Sequence, residues 1–191
     1  MRETPSNYNR IGMTLGQRGR FVEAIEAFER AIEIKPDFAP AFHNLGLAWW
    51  RLGKANQAMA AYRRAIELDP SNVEPHCGLG HALAAIGRPE ESLDAMREAV
   101  AAIPGSGKAH YNLGVAAERL LMWDAAADAY RRSIALNPLR PEAHTRLANL
   151  CLFILGKPDE AIESLNAALE LDPTDVRVQK ALDDAIEFVV R

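Results

Sequence analysis

Three histidines recur at a constant interval, and they are the first residues whose spacing could do chemistry. His76, His110 and His144 lie 34 residues apart, a regularity that a ladder of metal ligands would also have. One zinc ion needs its nitrogen ligands at about 2 Å from a common centre, whereas packed helices keep their axes about 8–10 Å apart. We therefore predict that each histidine packs at an interface between helices and that the protein binds no metal.

No other group of residues predicts catalysis. The fragment PGSGK at 104–108 lacks the spacing of a phosphate-binding loop, and no nucleophile, base and orienting group can be assigned. If the 34-residue spacing reflects a repeat, Cys77 and Cys151 fall at different positions of repeats that are not adjacent. They are then too far apart to form a disulfide. We expect Cys151 in the core and Cys77 to be accessible. The sequence predicts a protein that is not an enzyme and has no cofactor.

Composition and charge narrow the class of protein. The 191 residues are 49% hydrophobic and 25% charged, which is typical of a folded domain, and the net charge of −4 disfavours a nucleic-acid binder. No apolar run is long enough to span a membrane. The amino terminus lacks the apolar core of a secretory signal, so a cytoplasmic location is expected.

Regularly spaced prolines reveal the repeat behind the histidine spacing. Five prolines follow one another at intervals of 34, 34, 34 and 35 residues, beginning at Pro36 and ending at Pro173. Aligned on them, the chain divides into units 5–38, 39–72, 73–106, 107–140 and 141–175. In the first unit Ala24, Phe28 and Ala31 follow helical spacing. Each unit is predicted to be a helical hairpin whose apolar face must be covered by its neighbours.

The unit pattern resembles the tetratricopeptide repeat. Position 7 is large and apolar, position 8 is Gly or Ala, position 20 is Ala or Ser, position 24 is large, and Pro closes each unit. The resemblance implies an all-α fold, a right-handed α-solenoid of helix–turn–helix hairpins over 5–175, with 176–191 as a capping helix. Leu121 replaces the turn glycine of the fourth unit, whose hairpin we expect to be tilted or tightened. The fifth unit has one extra residue, expected at the end of its first helix or in its turn.

The resemblance also implies a binding surface. In tetratricopeptide arrays the first helices of the units line a concave groove that binds extended or helical peptides. Carried over residue by residue, the groove side chains are Asn9, Arg10, Met13, His43, Asn44, Leu47, Trp50, Arg51, Cys77, His81, Lys108, Tyr111, Asn112, Arg119, Arg146 and Asn149. With Glu74, Glu118 and Glu142 counted, the groove carries a net charge of +2, which favours an acidic partner.

Within the groove, Trp50 is the residue most expected to contact a partner. Trp49 falls at a core position, while Trp50 is turned about 100° away on the helix and is expected to project into the groove; the alternative is that it folds back over its own hairpin. Aromatic and arginine side chains are the usual energetic centres of interfaces. Asn44 and Asn112 could each hold a peptide backbone through their amides.

Three functions remain open at this point. The favoured one is a non-catalytic interaction module or scaffold that binds a peptide segment of a partner protein. The chain could instead be the substrate-recognition array of a larger enzyme, such as a glycosyl- or sulfotransferase. It could also be a self-assembling structural scaffold, a homo-oligomer formed through Leu152, Phe153, Phe188 or Val190. The clamp by which relatives grip chaperone tails is disfavoured, because its best register finds only Asn112 and Arg146.

Overall fold

The structure is built from helices alone. A computed structural model describes residues 3–190, and no strand occurs among them. The helices are α1 (Pro5–Gln17), α2 (Phe21–Ile34), α3 (Ala39–Arg51), α4 (Ala55–Leu68), α5 (Val73–Ala85), α6 (Pro89–Ala102), α7 (Gly107–Arg119), α8 (Trp123–Leu136), α9 (Pro141–Phe153), α10 (Pro158–Leu171) and α11 (Val176–Val190). The predicted all-α helical-repeat fold is confirmed.

Side chains and prolines fix where the helices begin and end. Thr4 accepts a hydrogen bond from the backbone N–H of Asn7, and Ser106 accepts one from Ala109, so both cap orphan donors of a first turn. Each second helix of a pair ends two residues before its proline, as α8 ends at Leu136 before Pro138. Proline disfavours helical backbone in the residue before it, which explains this constant end point.

Left-handed residues form the turn inside each pair. Gly19 has φ = 76° and Gly156 has φ = 62°, values that glycine adopts without steric cost. Leu121 adopts φ = 59° at the corresponding place of the fourth pair. The expected tightening of that hairpin is wrong, since its turn spans three residues like those of the three pairs before it. The backbone geometry is kept, and the leucine carries the strain.

The fifth pair takes up its extra residue in the turn. Its first helix α9 has 13 residues, as do the other first helices, whereas four residues separate α9 from α10. In the four earlier pairs three residues separate the two helices. The predicted position of the insertion is confirmed.

The helices pack as two compact units, one that ends at Ile103 and one that begins at Pro104. The core of the first unit includes Phe28 and Tyr62, both almost fully buried. The core of the second includes Tyr130 and Leu165. The helix α11 packs on α10 in the second unit, where it buries one apolar stripe that contains Val178, Leu182 and Ala185.

Candidate functional site

In the first unit, predicted groove residues from neighbouring first helices meet. The helix α3 packs beside both α1 and α5. The side-chain amide of Asn44 on α3 donates a hydrogen bond to Oδ1 of Asn9 on α1 at 2.9 Å. Met13 and Leu47 leave 46% and 41% of their surface exposed although both are apolar. Polar and apolar groups of two consecutive repeats therefore form one continuous surface.

A cavity of about 440 Å³ opens beside this surface. Its apolar wall comes from Met13, Phe21, Phe28 and Leu47, and Arg51 adds a charged group. The other lining residues are Gly12, Gly16, Gln17, Gly19, Asn44 and Ala48. A Cβ atom at Gly12 would lie 2.5 Å from the ring of Phe28, so only glycine lets that ring pack against α1.

The two tryptophans of α3 are both partly buried. Trp49 packs against the apolar clusters on both of its sides. Trp50 packs against the cluster that contains Tyr62 of its own hairpin and Leu79 of the next hairpin. Its indole is half-buried and leaves only part of its surface for a ligand. Burial of Tyr62 in the same cluster raises the pKa of its phenol to about 12.

The remaining predicted residues of the first unit differ in their solvent exposure. Arg10, Arg51 and His81 are exposed, and His43 is half-buried with its ring 6.0 Å from that of Tyr62. Cys77 is only 3% exposed, so the expectation that its thiol is accessible is wrong. Because α5 lies against α3, a side chain as short as cysteine does not reach past the surrounding atoms to solvent.

In the second unit, Arg146 on α9 joins an internal network. Its Nε donates to the hydroxyl oxygen of Tyr111 at 3.1 Å, and its Nη1 lies 3.0 Å from a carboxylate oxygen of Glu118. Tyr130 donates its hydroxyl proton to that same oxygen at 2.6 Å. Although burial opposes it, the hydrogen bond with Tyr111 and the nearby negative charge raise the pKa of Arg146. The network pairs one cation with one carboxylate of the groove, and both were already included in its net charge of +2.

The other predicted residues of the second unit differ in how far they are exposed. Asn149 and Arg119 are exposed and Lys108 is half-buried. Asn112 is only 6% exposed, so its predicted role in holding a peptide backbone is wrong. Asn44, the same side chain at the same repeat position of α3, is half-buried, so the repeat position alone does not determine whether a partner can reach the amide.

The recurring histidines bond to the linker that precedes each first helix. Nε2 of His76, His110 and His144 donates to the carbonyl oxygen of the proline six residues earlier, at 3.2, 3.1 and 3.0 Å. The packing role predicted for these residues is thus supplemented by an acceptor that sequence reasoning missed. The signal was present as Pro-x5-His, because Pro70, Pro104 and Pro138 keep this spacing.

Two general features limit the chemistry of the described chain. Within residues 3–190 no three His, Cys, Asp or Glu side chains are grouped so as to hold a metal ion. Across the same residues, every helix is too short or too polar to cross a membrane.

Sequence and structure comparisons agree on the class of protein. A family model described as TPR repeat matches residues 12–53 and 51–87, and one described as tetratricopeptide repeat matches 77–120 and 122–176. The chain therefore belongs to the tetratricopeptide-repeat family, whose repeats are protein–protein interaction scaffolds. No curated protein sequence matches it significantly.

Solved structures of similar fold span nearly the whole chain. The thermophilic TPR protein TTC0263 of Thermus thermophilus is 26% identical, with a TM-score of 0.69 over 95% of this chain and 98% of that one. PilF of Pseudomonas aeruginosa is 20% identical, with a TM-score of 0.78 over 95% and 88%. YrrB, described as a TPR protein with an unusual peptide-binding site, is 18% identical, with a TM-score of 0.68 over 91% and 89%.

Proposed function

We propose that the chain is a non-catalytic module that binds a peptide segment of a partner protein along the exposed side of its first helices. Residues 5–175 supply five repeats in this function, and 176–191 cap the last of them. The observation that carries it is the surface on α1 and α3, where Met13 and Leu47 are exposed beside an open cavity. Large apolar side chains exposed together are typical of interaction sites.

The charge of the first unit favours an acidic segment. Arg10 and Arg51 form no ion pair with any described residue, so both guanidinium groups can meet a partner. In the second unit Arg146 is already paired with Glu118. An acidic peptide bound at this surface would pair with Arg10 and Arg51, and its affinity would fall with added salt because exposed charges are screened.

Substitution of two exposed residues tests this function. A partner segment is first mapped after capture from native lysate, and its affinity for the purified protein is then measured by calorimetry. Leu47→Ala with Arg51→Ala should weaken binding by about tenfold or more, since an apolar contact and a charge contact are lost together. Both residues are exposed, so helicity should stay unchanged.

An arginine on a second helix provides the matched control. Arg63→Ala removes the same charge from the exposed side of α4 and should leave the affinity unchanged. Equal affinity of the wild type and the α3 double variant would refute the proposed surface.

Self-association is a second candidate, favoured by two exposed rings of the second unit. Phe153 and Phe188 are 69% and 63% exposed. Leu152 is only 8% exposed, so its predicted part in an oligomer is wrong, and the side chain of Val190 lies outside the described residues. Light scattering over a concentration series tests this function: Phe153→Ser with Phe188→Ser should abolish an oligomer, and a wild type that stays monomeric would exclude it.

A further inference from the structure

The cavity of the first unit lies where the second repeat has a tryptophan. Gly16 is the twelfth residue of the first repeat, and Trp50 is the twelfth residue of the second. A Cβ atom added at Gly16 would meet nothing within 4 Å, so the space beyond this backbone is open. The first repeat therefore has an empty volume at a place that the second fills with its own indole.

The walls around the two places also correspond. Phe28 and Ala48 line the cavity. The residues at the same repeat positions one unit later are Tyr62 and Ala82, and both belong to the cluster against which Trp50 packs. Phe21 stands where the second repeat has Ala55 and adds a further aromatic wall to the cavity. The chain thus contains its own template for what this space can hold.

We propose that the cavity binds an aromatic side chain of the size of tryptophan from the partner segment, with an adjacent carboxylate paired to Arg51. Shape comes from the correspondence with Trp50, and charge comes from Arg51, which lines the cavity and is exposed. This assignment rests on the proposed function and narrows it to a class of ligand, a segment with an aromatic residue next to an acidic residue or a carboxyl terminus.

Small probes test the cavity without a known partner. N-acetyl-L-tryptophan, its neutral amide and N-acetyl-L-alanine are titrated into the full chain while the NMR signals of the Gly19 backbone amide and the Asn44 side-chain amide are followed. The acid should shift both signals and bind several-fold more tightly than the amide, and the alanine compound should shift neither. In Arg51→Ala the acid and the amide should bind equally.

Filling the cavity from within tests the same assignment. Gly16→Trp reproduces the residue of the second repeat, and Gly16→Leu places a smaller side chain in the same open space. Either variant should lower the affinity for N-acetyl-L-tryptophan by more than about tenfold, because the ring of the probe can no longer be buried in the cavity. Thr14→Leu is the matched control on the same helix: Thr14 is exposed and does not line the cavity, so it should leave the affinity unchanged.

The outcomes separate the cavity from the wider function. Unchanged probe binding in Gly16→Leu, or equal shifts from the alanine compound, would overturn the assignment. A dimer that dissociates on addition of N-acetyl-L-tryptophan would assign the cavity to a second copy of the chain and overturn it also. If a mapped partner segment binds wild type and Gly16→Leu equally well, the cavity proposal fails while the proposed function stands. If no segment binds at Leu47 and Arg51, the proposed function fails. The titrations with the small probes then still decide whether the cavity binds an aromatic group.

Discussion

Leu121 occupies a backbone conformation that side chains other than glycine rarely adopt. Its φ of 59° lies in the left-handed region, and 66% of its surface is exposed. A left-handed residue with a Cβ costs about 1–2 kcal/mol, and the exposed side chain contributes little packing in return. The surrounding turn holds Leu121 in this conformation, because glycine adopts the same left-handed geometry in the other four pairs.

Leu121→Gly should therefore stabilise the protein. We expect the free energy of unfolding to rise by about 1 kcal/mol, the strain relieved less the greater entropy of glycine in the unfolded chain. Urea denaturation followed by circular dichroism measures it. Leu121→Ala keeps the strained Cβ and serves as the control, with no gain expected; a loss of stability in the glycine variant would show that the leucine side chain stabilises the turn.

The solvent exposure of single side chains could not be predicted reliably from the sequence. The repeat register correctly places Cys151 in the core, yet Cys77 and Asn112 were assigned to an open surface and are buried. Register determines the direction of a side chain around its helix. Its exposure depends also on its length and on how closely the next first helix packs, and neither follows from the spacing of repeated residues.

At the scale of helices, an ion pair joins α8 to α10. Nε and Nη2 of Arg131 donate to the two carboxylate oxygens of Glu160 at 2.6 and 2.9 Å. The hydrogen bond from Arg131 lowers the pKa of Glu160 below its ordinary value of 4.5. Because the folded state holds this proton less tightly than the unfolded state, the stabilisation is complete above pH 4.5 and is lost as the pH falls through the lowered value.

Glu160→Gln should remove this acid-dependent stabilisation. Both side chains are about one-third exposed, so we expect a loss below about 1 kcal/mol at neutral pH. The difference from wild type should shrink as the pH falls below 4.5, as measured by thermal unfolding between neutral pH and pH 3. The exposed Glu163 on the same helix gives the control Glu163→Gln, whose stability should follow wild type throughout. A difference that does not change with pH would contradict the assignment to the carboxylate.

Helix positions, by contrast, follow closely from the sequence. The intervals between prolines predict all five pairs, and the extra residue of the fifth was correctly assigned to the region of its turn. These features depend on local backbone chemistry, namely prolines that lack an amide proton and glycines at turns. The carbonyl acceptor of His144 was not predicted, because hydrophobic periodicity carries no information about hydrogen bonds.

At the scale of the whole molecule, stability is expected to be distributed over its parts. Repeat proteins are stabilised mainly by contacts between neighbours, so a local change spreads little. Among the described helices, α11 packs mainly on α10, and Leu182 is among the residues it buries. Damage at this end of the chain should therefore remain within the second unit.

Leu182→Ala tests whether the units respond separately. We expect a loss of about 2–4 kcal/mol in the second unit, because a leucine that is only 7% exposed leaves a cavity. Hydrogen exchange should show weaker amide protection in α9, α10 and α11 and unchanged protection in α1 to α4. Ile186→Ala removes a side chain that is 44% exposed on the same helix and should change little. Equal loss of protection in both units would mean that the chain unfolds as one body.

The bond between histidine and proline bears on how such a chain can change its length. Donor and acceptor are six residues apart, so a block cut immediately before Pro138 takes both His144 and its carbonyl partner with it. A duplicated or transplanted block of this kind therefore contains both partners of the hydrogen bond that holds its first helix to the preceding linker. Copies could thus be gained or lost during evolution without a compensating substitution in the preceding block, and an engineer could exchange them on the same principle.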